Sequence, residues 1–449
     1  MDETKELENT LDEMPGYSNT RPEAPLKQVD MVDLFKGREA VMRTTREGRS
    51  GESPAVAEAS GTADGPSDLY DRIAAEGGPL VEPDPEDDDH RLLTFLYKGT
   101  SDTSKVRVLG QLRHAGLMLS GHDDHEHPMT RIGDSDIWSL TIRARRDLRT
   151  SYTIHAQDSA EELPFWEYRL DAVPDPINPK IYGNEVSEPS RVVGQSRSAS
   201  VLELDQAVHR GIGGKGPRQK WTMHWFRSEL TDSTRRIWTW QPDAAPRGVL
   251  LLHDGYDCAQ CTRIAEILTE LTDAGELPPL LVVAVEALRG ISVEELGCND
   301  PFTDMVVTEI LPWIREHWDV PADPDRLIIS GQSWGGLNVV YTALRHPEAV
   351  HNVISQSGSF WYSPTSDPDG YGEYGWLIER FRDIDLEPHR LHLQVGALEG
   401  HMVTVSRHMR DILMMTGHEV TYDETNHDHS WVGWQYSIID PLIDMTSDW

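Results

Sequence analysis

A serine between two glycines is the residue of this chain best suited to covalent chemistry. Residues 331–335 read Gly-Gln-Ser-Trp-Gly, directly after the apolar run "RLIIS" and before "GGLNVVYTALRH", whose apolar residues recur with helical spacing. In a G-x-S-x-G turn the serine occupies a strained strand-to-helix turn, and glycines flank it because side chains there would collide with neighbouring backbone. Ser333 is therefore predicted to be a nucleophile at a helix N-terminus, where positive potential favours a developing oxyanion.

A serine nucleophile needs a histidine, and two follow the last apolar run of the chain. An imidazole must take the serine proton, and the usual chain order in this type of sheet is serine, acid, histidine. The run "HEVTYDET" is followed by "NHDHS", which offers His427 and His429 as the base. His401 and His408 fall on the preceding helical stretch and are expected at the surface.

The acid that orients the histidine is expected after the preceding strand. The run "LHLQVG" ends at Gly396, and Glu399 follows it at once. Asp423 and Asp428 are rival candidates from the residues alone. In so acidic a chain, a solvated surface carboxylate is the alternative interpretation of all three.

The oxyanion that forms during attack needs two backbone N–H donors. One comes from the residue after the nucleophile, Trp334, and the other from the loop after an earlier strand. In "LLLHDGYDC" that loop offers the N–H of Tyr256, and Gly255 is expected to let the backbone approach the substrate.

The elements that hold these residues alternate between strand and helix. Six apolar runs, "GVLLLHDG", "LLVVAVEA", "RLIISGQS", "HNVISQSG", "LHLQVGAL" and "HEVTYDET", are separated by stretches with helical period such as 301–317, 335–346 and 402–415. Continuous apolar strands between helices predict a mostly parallel sheet covered on both faces. The fold class predicted for 221–449 is therefore an α/β-hydrolase domain.

The first half of the chain has a different hydrophobic periodicity. Short alternating runs, "RLLTFLYKG", "SKVRVLGQL", "DIWSLTIRA" and "SYTIHAQD", predict an antiparallel β-sandwich over 67–208, and a glycine-rich linker over 209–220 joins it to the catalytic domain. A short helical pattern precedes the strands and ends at Gly77 and Gly78. Residues 1–66 are polar and acidic and are predicted to be a disordered tail.

Composition limits the possible partners. The 449 residues contain 76 acidic and 41 basic side chains, a net charge of -35, which repels nucleic acid and anionic membranes. No lysine follows Lys220, and an acidic, lysine-poor surface indicates adaptation to high salt. No signal peptide and no run of about 18 apolar residues is found, so a cytoplasmic protein is expected.

Three cysteines do not make a disulfide framework or a zinc site. A zinc site needs four ligands, and "CAQC", residues 258–261, has no second cysteine pair. A metal-binding segment is the alternative interpretation of "HDDHEH", residues 122–127. We expect the cysteines of "CAQC" to be incidental core residues and "HDDHEH" to be a flexible acidic loop. We expect neither a metal nor a cofactor.

Motifs along residues 68–449 resemble those of the enterochelin (enterobactin) esterase family. "IAAEGGPLVEP", "DDHRLLTFLYKG", "MTRIGDSDIWSLTI", "DPINP" and "SVLEL" resemble its N-terminal sandwich, and "LHDGYD", "EELGCND", "SGQSWGGL" and "ISQSGSFWY" resemble its catalytic domain. The resemblance implies a cytoplasmic serine esterase that hydrolyses the trilactone esters of a ferric catecholate siderophore. The partner is then a small-molecule siderophore, and the protein is a monomer or a small homo-oligomer.

The resemblance also distinguishes among the candidate residues. A tryptophan lies five residues beyond the family histidine, which fits His429 and Trp434 but not His427, and the family acid lies in a Gly-x-x-Glu turn, which fits Glu399. The "EELGCN" segment implies that Glu295 and Asn299 contact the substrate.

Two positions depart from the family pattern and bear on substrate choice. Ser292 replaces a family arginine, and Asp428 replaces the glycine before the family histidine. Arg289, near Ser292, and Arg263 are the local positive charges expected to attract an anionic substrate. Three alternatives stay open: a general carboxylesterase or feruloyl-type esterase, a siderophore-binding protein with a vestigial site, and acyl transfer to an alcohol.

Overall fold

Two antiparallel sheets precede one large mixed sheet in this protein. The computed structural model describes residues 52–112, 126–161, 171–183, 198–207, 214, 216–288, 292–363, 375–382 and 387–449. Within these residues the mixed sheet has eight strands and helices on both faces. The architecture confirms the predicted class, a β-sandwich followed by an α/β-hydrolase-like domain.

The sandwich consists of one four-stranded and one five-stranded sheet. The first has the order β1 (Leu80–Pro83), β2 (His90–Lys98), β6 (Ile137–Arg145) and β5 (Thr130–Arg131). The second has the order β4 (Glu126–Pro128), β3 (Lys105–Leu109), β7 (Arg149–Gln157), β9 (Ser198–Glu203) and β8 (Ile181–Gly183). Alternate apolar residues of the facing strands form one buried cluster, including Leu93, Phe95, Val106, Val108, Tyr152 and Ile154. Because strand side chains alternate between faces, this period-two pattern buries one side of each sheet against the other.

Two helices cover the outer face of the first sheet and correct the predicted extent of the tail. They are α1 (Pro54–Ala59) and α2 (Gly65–Glu76). Their apolar residues form a second cluster with the sheet, made of Ala59, Leu69, Ile73, Leu96, Ile137 and Ile177. The prediction of disorder up to residue 66 is therefore wrong for residues 54–59, and residues 1–51 lie outside the described part. The helix α2 ends at Gly77, with φ 93°, as the sequence predicts.

The mixed sheet holds six parallel strands where the six apolar runs predict them. Its order is β10 (Thr222–Ser228), β11 (Ser233–Trp240), β13 (Leu280–Val285), β12 (Gly248–His253), β14 (Leu327–Gln332), β15 (Asn352–Gln356), β16 (Arg390–Gly396) and β17 (Glu419–Thr425). The hairpin β10–β11 is antiparallel and joins the edge of the parallel strands through β13. The sequence analysis did not predict this hairpin, because charged residues interrupt its apolar pattern.

Helices pack on both faces of this sheet. They are α3 (Ile264–Asp273), α4 (Ser292–Leu296), α5 (Asp300–Met305), α6 (Leu311–His317), α7 (Trp334–Arg345), α8 (Trp376–Arg382), α9 (His401–Met415), α10 (Trp431–Ser437) and α11 (Ile439–Met445). Along β12, Val249 and Leu251 belong to one buried cluster, while Leu250 and Leu252 belong to the cluster on the opposite face. This two-sided burial explains the continuous apolar runs. Among the described helices none is long and apolar enough to cross a membrane.

Two buried histidines make the fold sensitive to acid. Burial lowers the pKa of His253 to about 4, and burial together with the neighbouring His389 lowers the pKa of His418 to about 4. The unfolded chain protonates these histidines near pH 6.5, so it binds more protons than the folded chain between pH 6.5 and 4. Stability contributed by the neutral rings is therefore present above pH 6.5 and is lost as the pH falls toward 4.

We expect the variant His418→Gln to lose part of this acid sensitivity. Urea unfolding midpoints measured at pH 7 and pH 5 should differ less for His418→Gln than for the wild type, because the glutamine takes up no proton when the chain unfolds at pH 5. The variant His317→Gln, at an exposed position, is the control and should keep the wild-type difference. Equal pH sensitivity in all three proteins would contradict the assignment.

Candidate active site

Ser333 lies on a strained turn between β14 and α7. Its backbone has φ 55° and ψ −115°, a conformation that residues with side chains rarely adopt. A Cβ placed on Gly331 would lie 2.4 Å from the carbonyl carbon of Gly335, and one on Gly335 would lie 3.1 Å from Cβ of His253. The glycines are required because strand and helix pass this close, as the G-x-S-x-G pattern predicts.

His429 contacts Ser333 directly. Its Nε2 accepts a hydrogen bond from the Ser333 hydroxyl, with 2.9 Å between the two atoms. On its other side, Nδ1–H donates to Oε2 of Glu399 at 2.6 Å. The ring of Trp434 packs edge-on against the imidazole with centroids 4.8 Å apart, which gives a physical reason for the spacing of five residues noted in the sequence.

Glu399 is the carboxylate beside His429, and it is almost completely buried. It lies in the turn after β16, with 2% of its surface exposed. Its Oε1 accepts hydrogen bonds from the Gly396 N–H at 2.7 Å and from the Ser357 hydroxyl at 2.6 Å. Burial alone would raise the pKa of Glu399, but the attraction of His429 and these hydrogen bonds lower it overall, so the carboxylate is ionised at neutral pH.

The two other candidates for the acid, Asp423 and Asp428, have partners other than the His429 imidazole. Asp423 is on an exposed part of β17, 3.7 Å from His392 rather than His429. Asp428 is buried, but its oxygens accept hydrogen bonds from Ser151 and Ser430. The structure thus brings Glu399, and neither aspartate, to the histidine that contacts Ser333.

The second candidate histidine, His427, is enclosed away from the serine. Its Nδ1 contacts the carbonyl of Asp428 at 2.6 Å, and its Nε2 contacts the side-chain amide of Gln394 at 2.7 Å. Burial lowers the pKa of His427, which favours the neutral ring. A Cβ on Gly433 would lie 2.3 Å from this ring, so the helix after the histidine loop packs directly on it.

The two predicted oxyanion donors follow neighbouring parallel strands. Trp334 is the first residue of α7, and the first N–H groups of a helix have no acceptor within the helix. Tyr256 lies in a short helical turn just after β12, and His253, the last residue of β12, packs against Gly335 of the serine turn. A Cβ on Gly255 would lie 2.5 Å from the carbonyl oxygen of Ala284, so the close passage of β13 already requires a glycine here. The expected approach of the substrate to Gly255 stays a prediction.

Two residues predicted to contact the substrate make structural contacts in this protein. Glu295 is buried in an ion pair with Arg235, at 2.8 Å, and accepts the N–H of Leu288 at 2.7 Å. The side chain of Asn299 caps α5 by accepting the N–H of Phe302 at 2.9 Å. The expectation that Glu295 and Asn299 contact the substrate stays a prediction, because a sequence motif does not distinguish residues that touch a ligand from residues that shape the backbone nearby.

The two arginines expected near the substrate differ in what the structure describes. Arg289 lies outside the described residues. The guanidinium of Arg263 donates to the carbonyl of Gly214 at 2.8 Å and to that of Gly216 at 2.5 Å. Arg263 therefore contacts two glycines of the predicted linker, and the expectation that it attracts substrate stays a prediction.

The sequence analysis missed two groups of residues around Ser333. Ser357 accepts a hydrogen bond from the indole N–H of Trp434 at 2.9 Å and donates one from its hydroxyl to Glu399 at 2.6 Å, so it connects the tryptophan to the acid. The rings of Trp361 and Tyr362 pack edge-on against Trp334, with centroids 5.3 and 4.8 Å apart. The sequence carries these residues in "SQSGSFWY", a segment whose spacing alone does not indicate contact with the serine turn.

One further histidine borders this aromatic group. His401 is half-buried, its ring centroid lies 6.5 Å from that of Trp361, and burial lowers its pKa. The expectation that it lies at the surface is therefore wrong.

The cysteines and the acidic loop show no metal site in the part that the structure describes. Cys258 is buried and donates its S–H to the carbonyl of His253, and burial raises its pKa. Residues 122–125 of "HDDHEH" lie outside the described part, while Glu126 and His127 belong to β4. Across the described residues there is no group of three or more side chains suited to hold a metal ion.

The fold and this arrangement define an α/β-hydrolase-like esterase domain behind a β-sandwich. Two family models match the chain: "Enterochelin esterase, N-terminal" over residues 92–211 and "Putative esterase" over residues 234–445. The chain therefore belongs to the enterochelin esterase family, with an N-terminal domain followed by an esterase domain, and is an esterase-family hydrolase. This confirms the resemblance seen in its motifs.

Relatives match over most of their length. The iron(III) enterobactin esterase of Dickeya dadantii is 26% identical, and the match covers 83% of this chain and 91% of that protein. The iron(III) salmochelin esterase of Escherichia coli is 26% identical, over 84% of this chain and 92% of that protein. The fold is that of the enterobactin esterase of Shigella flexneri, solved in the presence of enterobactin, with a TM-score of 0.69, 23% identity, and coverage of 84% of this chain and 97% of the other.

The close passage of strand and helix at the serine turn gives a direct test. In Gly331→Ala the new methyl group would overlap the backbone of Gly335, so β14 and α7 must separate. We expect the unfolding free energy to fall by about 1–3 kcal/mol and the labelling of Ser333 by a fluorophosphonate to slow.

The matched control is Gly216→Ala, where an added Cβ has nothing within 4 Å. Urea unfolding and labelling rates should match the wild type in this control. Wild-type stability and labelling in Gly331→Ala would contradict the close contact between β14 and α7 at this turn.

Proposed function

We propose that the protein is a serine esterase that hydrolyses the trilactone ester bonds of a ferric catecholate siderophore. In this proposal Ser333 is the nucleophile, His429 the general base and Glu399 the acid that orients the histidine. The observation that carries it is the continuous hydrogen-bond relay, 2.9 Å from Ser333 to His429 and 2.6 Å from His429 to Glu399.

The first half of the reaction forms an acyl-enzyme. Oγ of Ser333 attacks the ester carbonyl while its proton moves to Nε2 of His429, and the ionised Glu399 stabilises the resulting imidazolium. The carbonyl oxygen becomes an oxyanion that accepts hydrogen bonds from the backbone N–H groups of Trp334 and Tyr256. Each of these hydrogen bonds stabilises the transition state by about 3 kcal/mol. When the tetrahedral intermediate collapses, the ester C–O bond breaks and His429 protonates the departing alkoxide.

The second half returns the enzyme to its starting state. His429 takes a proton from water, the hydroxide adds to the acyl carbon, and the same two N–H groups hold the second oxyanion. Collapse releases a carboxylic acid and returns the proton to Ser333. Each cycle opens one ester of the ring, which removes part of the preorganisation on which tight iron chelation depends.

The choice of a catecholate substrate has two supports. The relatives compared above are named esterases of iron(III) enterobactin and iron(III) salmochelin. In this chain, the half-buried rings of Trp334, Trp361 and Tyr362 lie next to the serine turn and offer aromatic surface for an aryl group.

The charge of the protein must also be compatible with this substrate. A ferric triscatecholate is a polyanion, and the chain has a net charge of -35. We propose that the enzyme works in concentrated salt, where the Debye length shrinks from about 10 Å at 0.1 M to about 3 Å at 1 M and the repulsion is screened. Arg289 remains our proposal for a local positive charge that attracts the substrate.

Substitutions in the relay test the mechanism. We expect Ser333→Ala to lower kcat on a ferric catecholate trilactone by about 10⁶-fold, with an unchanged unfolding midpoint, because the nucleophile is removed without new contacts. Glu399→Gln should lower kcat by about 10⁴-fold, because a neutral amide favours the wrong histidine tautomer. Product formation is followed by mass analysis of the linear fragments.

The same assay separates this proposal from its alternatives. An Asp423→Asn variant is the control for loss of a carboxylate from the same region and should keep wild-type kcat, because Asp423 is exposed and its ion-pair partner is His392, not His429. Faster turnover of simple aryl esters than of the trilactone would favour a general or feruloyl-type esterase. Binding of the ferric ligand without any product would indicate a siderophore-binding protein.

The salt proposal predicts a difference between charged and neutral substrates. Between about 0.1 M and 2 M sodium chloride, kcat/KM for the ferric anion should rise about tenfold or more, because screening lowers the cost of bringing a polyanion to an acidic protein. For a neutral aryl ester the rise should be much smaller. The same rise for both substrates would point to salt-dependent folding instead, and a flat profile for both would refute salt adaptation.

A further inference from the structure

The histidine loop lies along a strand of the N-terminal sandwich. In the second sheet, β9 pairs with residues 149–152 of β7 on one side, while β3 pairs only with residues 153–157 on the other. At Arg149, the edge of β7 that does not pair with β3 pairs with the histidine loop. The Arg149 N–H donates to the carbonyl of Asn426 at 3.0 Å, and Arg149 forms a parallel bridge with His427. The loop thus continues the sandwich sheet where β3 ends.

Asp428 fastens this loop to β7. Its side chain is 4% exposed, and Oδ2 accepts both the N–H of Ser151 at 3.1 Å and the hydroxyl of Ser151 at 2.8 Å. Oδ1 accepts the hydroxyl of Ser430 at 2.5 Å. A buried carboxylate needs such donors because each missing one leaves a desolvated polar group. Asp428 therefore has one well-defined position, directly before His429.

A second contact from the sandwich reaches His429 itself. Oε1 of Gln111 accepts the backbone N–H of His429 at 2.7 Å, and the backbone carbonyl of Gln111 accepts the hydroxyl of Thr150, the residue before Ser151 on β7. The acid is tied to the same domain, since Leu398, next to Glu399, is buried in the hydrophobic cluster of the sandwich.

We propose that Asp428 is a positioning residue through which the N-terminal sandwich holds His429 within hydrogen-bond reach of Ser333. This inference rests on the proposed role of His429 as the base. Ser333 is held by β14 and α7 of the catalytic domain, whereas the loop before His429 takes its side-chain anchor from β7. Releasing that anchor lets the imidazole drift from the serine, and a displacement of about 1 Å from reactive geometry costs about 100-fold in rate.

The test uses p-nitrophenyl acetate, a small neutral ester that does not depend on the natural substrate. We expect Asp428→Ala to lower kcat about 100-fold with KM changed less than about threefold, because geometry is lost and binding surface is not. Asp428→Asn should restore kcat to within about fivefold of wild type, since its amide oxygen can still accept from Ser151 and its NH₂ can donate to the Ser430 hydroxyl.

Variants of Ser151, the hydrogen-bond partner of Asp428, distinguish loss of positioning from a folding defect. Ser151→Ala removes one of the two hydrogen bonds to Oδ2 and should lower kcat about tenfold at unchanged KM. In the double variant Ser151→Ala/Asp428→Ala, kcat should be no lower than in Asp428→Ala alone, because the two residues act through one contact. If Asp428→Ala does not fold, wild-type kcat in Ser151→Ala overturns the inference.

The matched control is Asp175→Ala. Asp175 is another buried sandwich carboxylate, 2% exposed, which accepts the Tyr152 hydroxyl at 2.8 Å and the Ile177 N–H at 3.0 Å. This variant should lower the melting temperature and keep kcat at 25 °C. A lower melting temperature with wild-type kcat in Asp428→Ala as well would reduce Asp428 to a structural role. Activity of Ser333→Ala on this ester would instead overturn the proposed function itself.

Discussion

A carboxylate removed from water is the constraint on which the site depends. Glu399 is held in the interior by the Gly396 N–H, the Ser357 hydroxyl and the His429 imidazole. Each of these donors must be present, because an unpaired buried charge costs several kcal/mol. The need to satisfy one buried charge therefore fixes the turn after β16, the side chain of Ser357 and the orientation of the histidine ring together.

The three residues of the hydrogen-bond relay are held in place in two different ways. Ser333 owes its position to a rigid strand-turn-helix unit in which Gly331 and Gly335 allow close contact. His429 and Glu399 come from loops, and both loops have neighbours in the sandwich: Gln111 at the histidine backbone and Leu398 in the apolar cluster. The N-terminal domain of this family member is thus continuous with the esterase site through hydrogen bonds and apolar packing.

Local pattern predicted the features that depend on neighbours in sequence. The six parallel strands followed from continuous apolar runs, and the serine turn followed from glycine spacing, because both reflect constraints within a few residues. The choice of His429 over His427 depended on a spacing of five residues to Trp434, and the edge-on packing of these two rings shows why that spacing has physical meaning.

Features that depend on distant contacts escaped prediction. The ion pair of Glu295 is one of them, because its partner Arg235 lies 60 positions away in the chain. The helix α1 looked like part of a polar tail because its burial depends on the outer face of a sheet that forms from later residues. Asp428 was considered as a triad acid, since nothing near it in sequence reveals that Ser151 occupies its oxygens.

The contact between Ser151 and Asp428 joins positions 277 apart in the chain, and that between Gln111 and His429 joins positions 318 apart. Contacts of such long sequence separation form late, after the local units of a protein have already condensed. During synthesis the sandwich residues leave the ribosome first and must wait for the histidine loop, which comes near the end. Ser333 is likewise made 96 residues before His429, so the hydrogen bond between them forms only when the chain is nearly complete. The completed relay is therefore itself a sign that the whole polypeptide has folded.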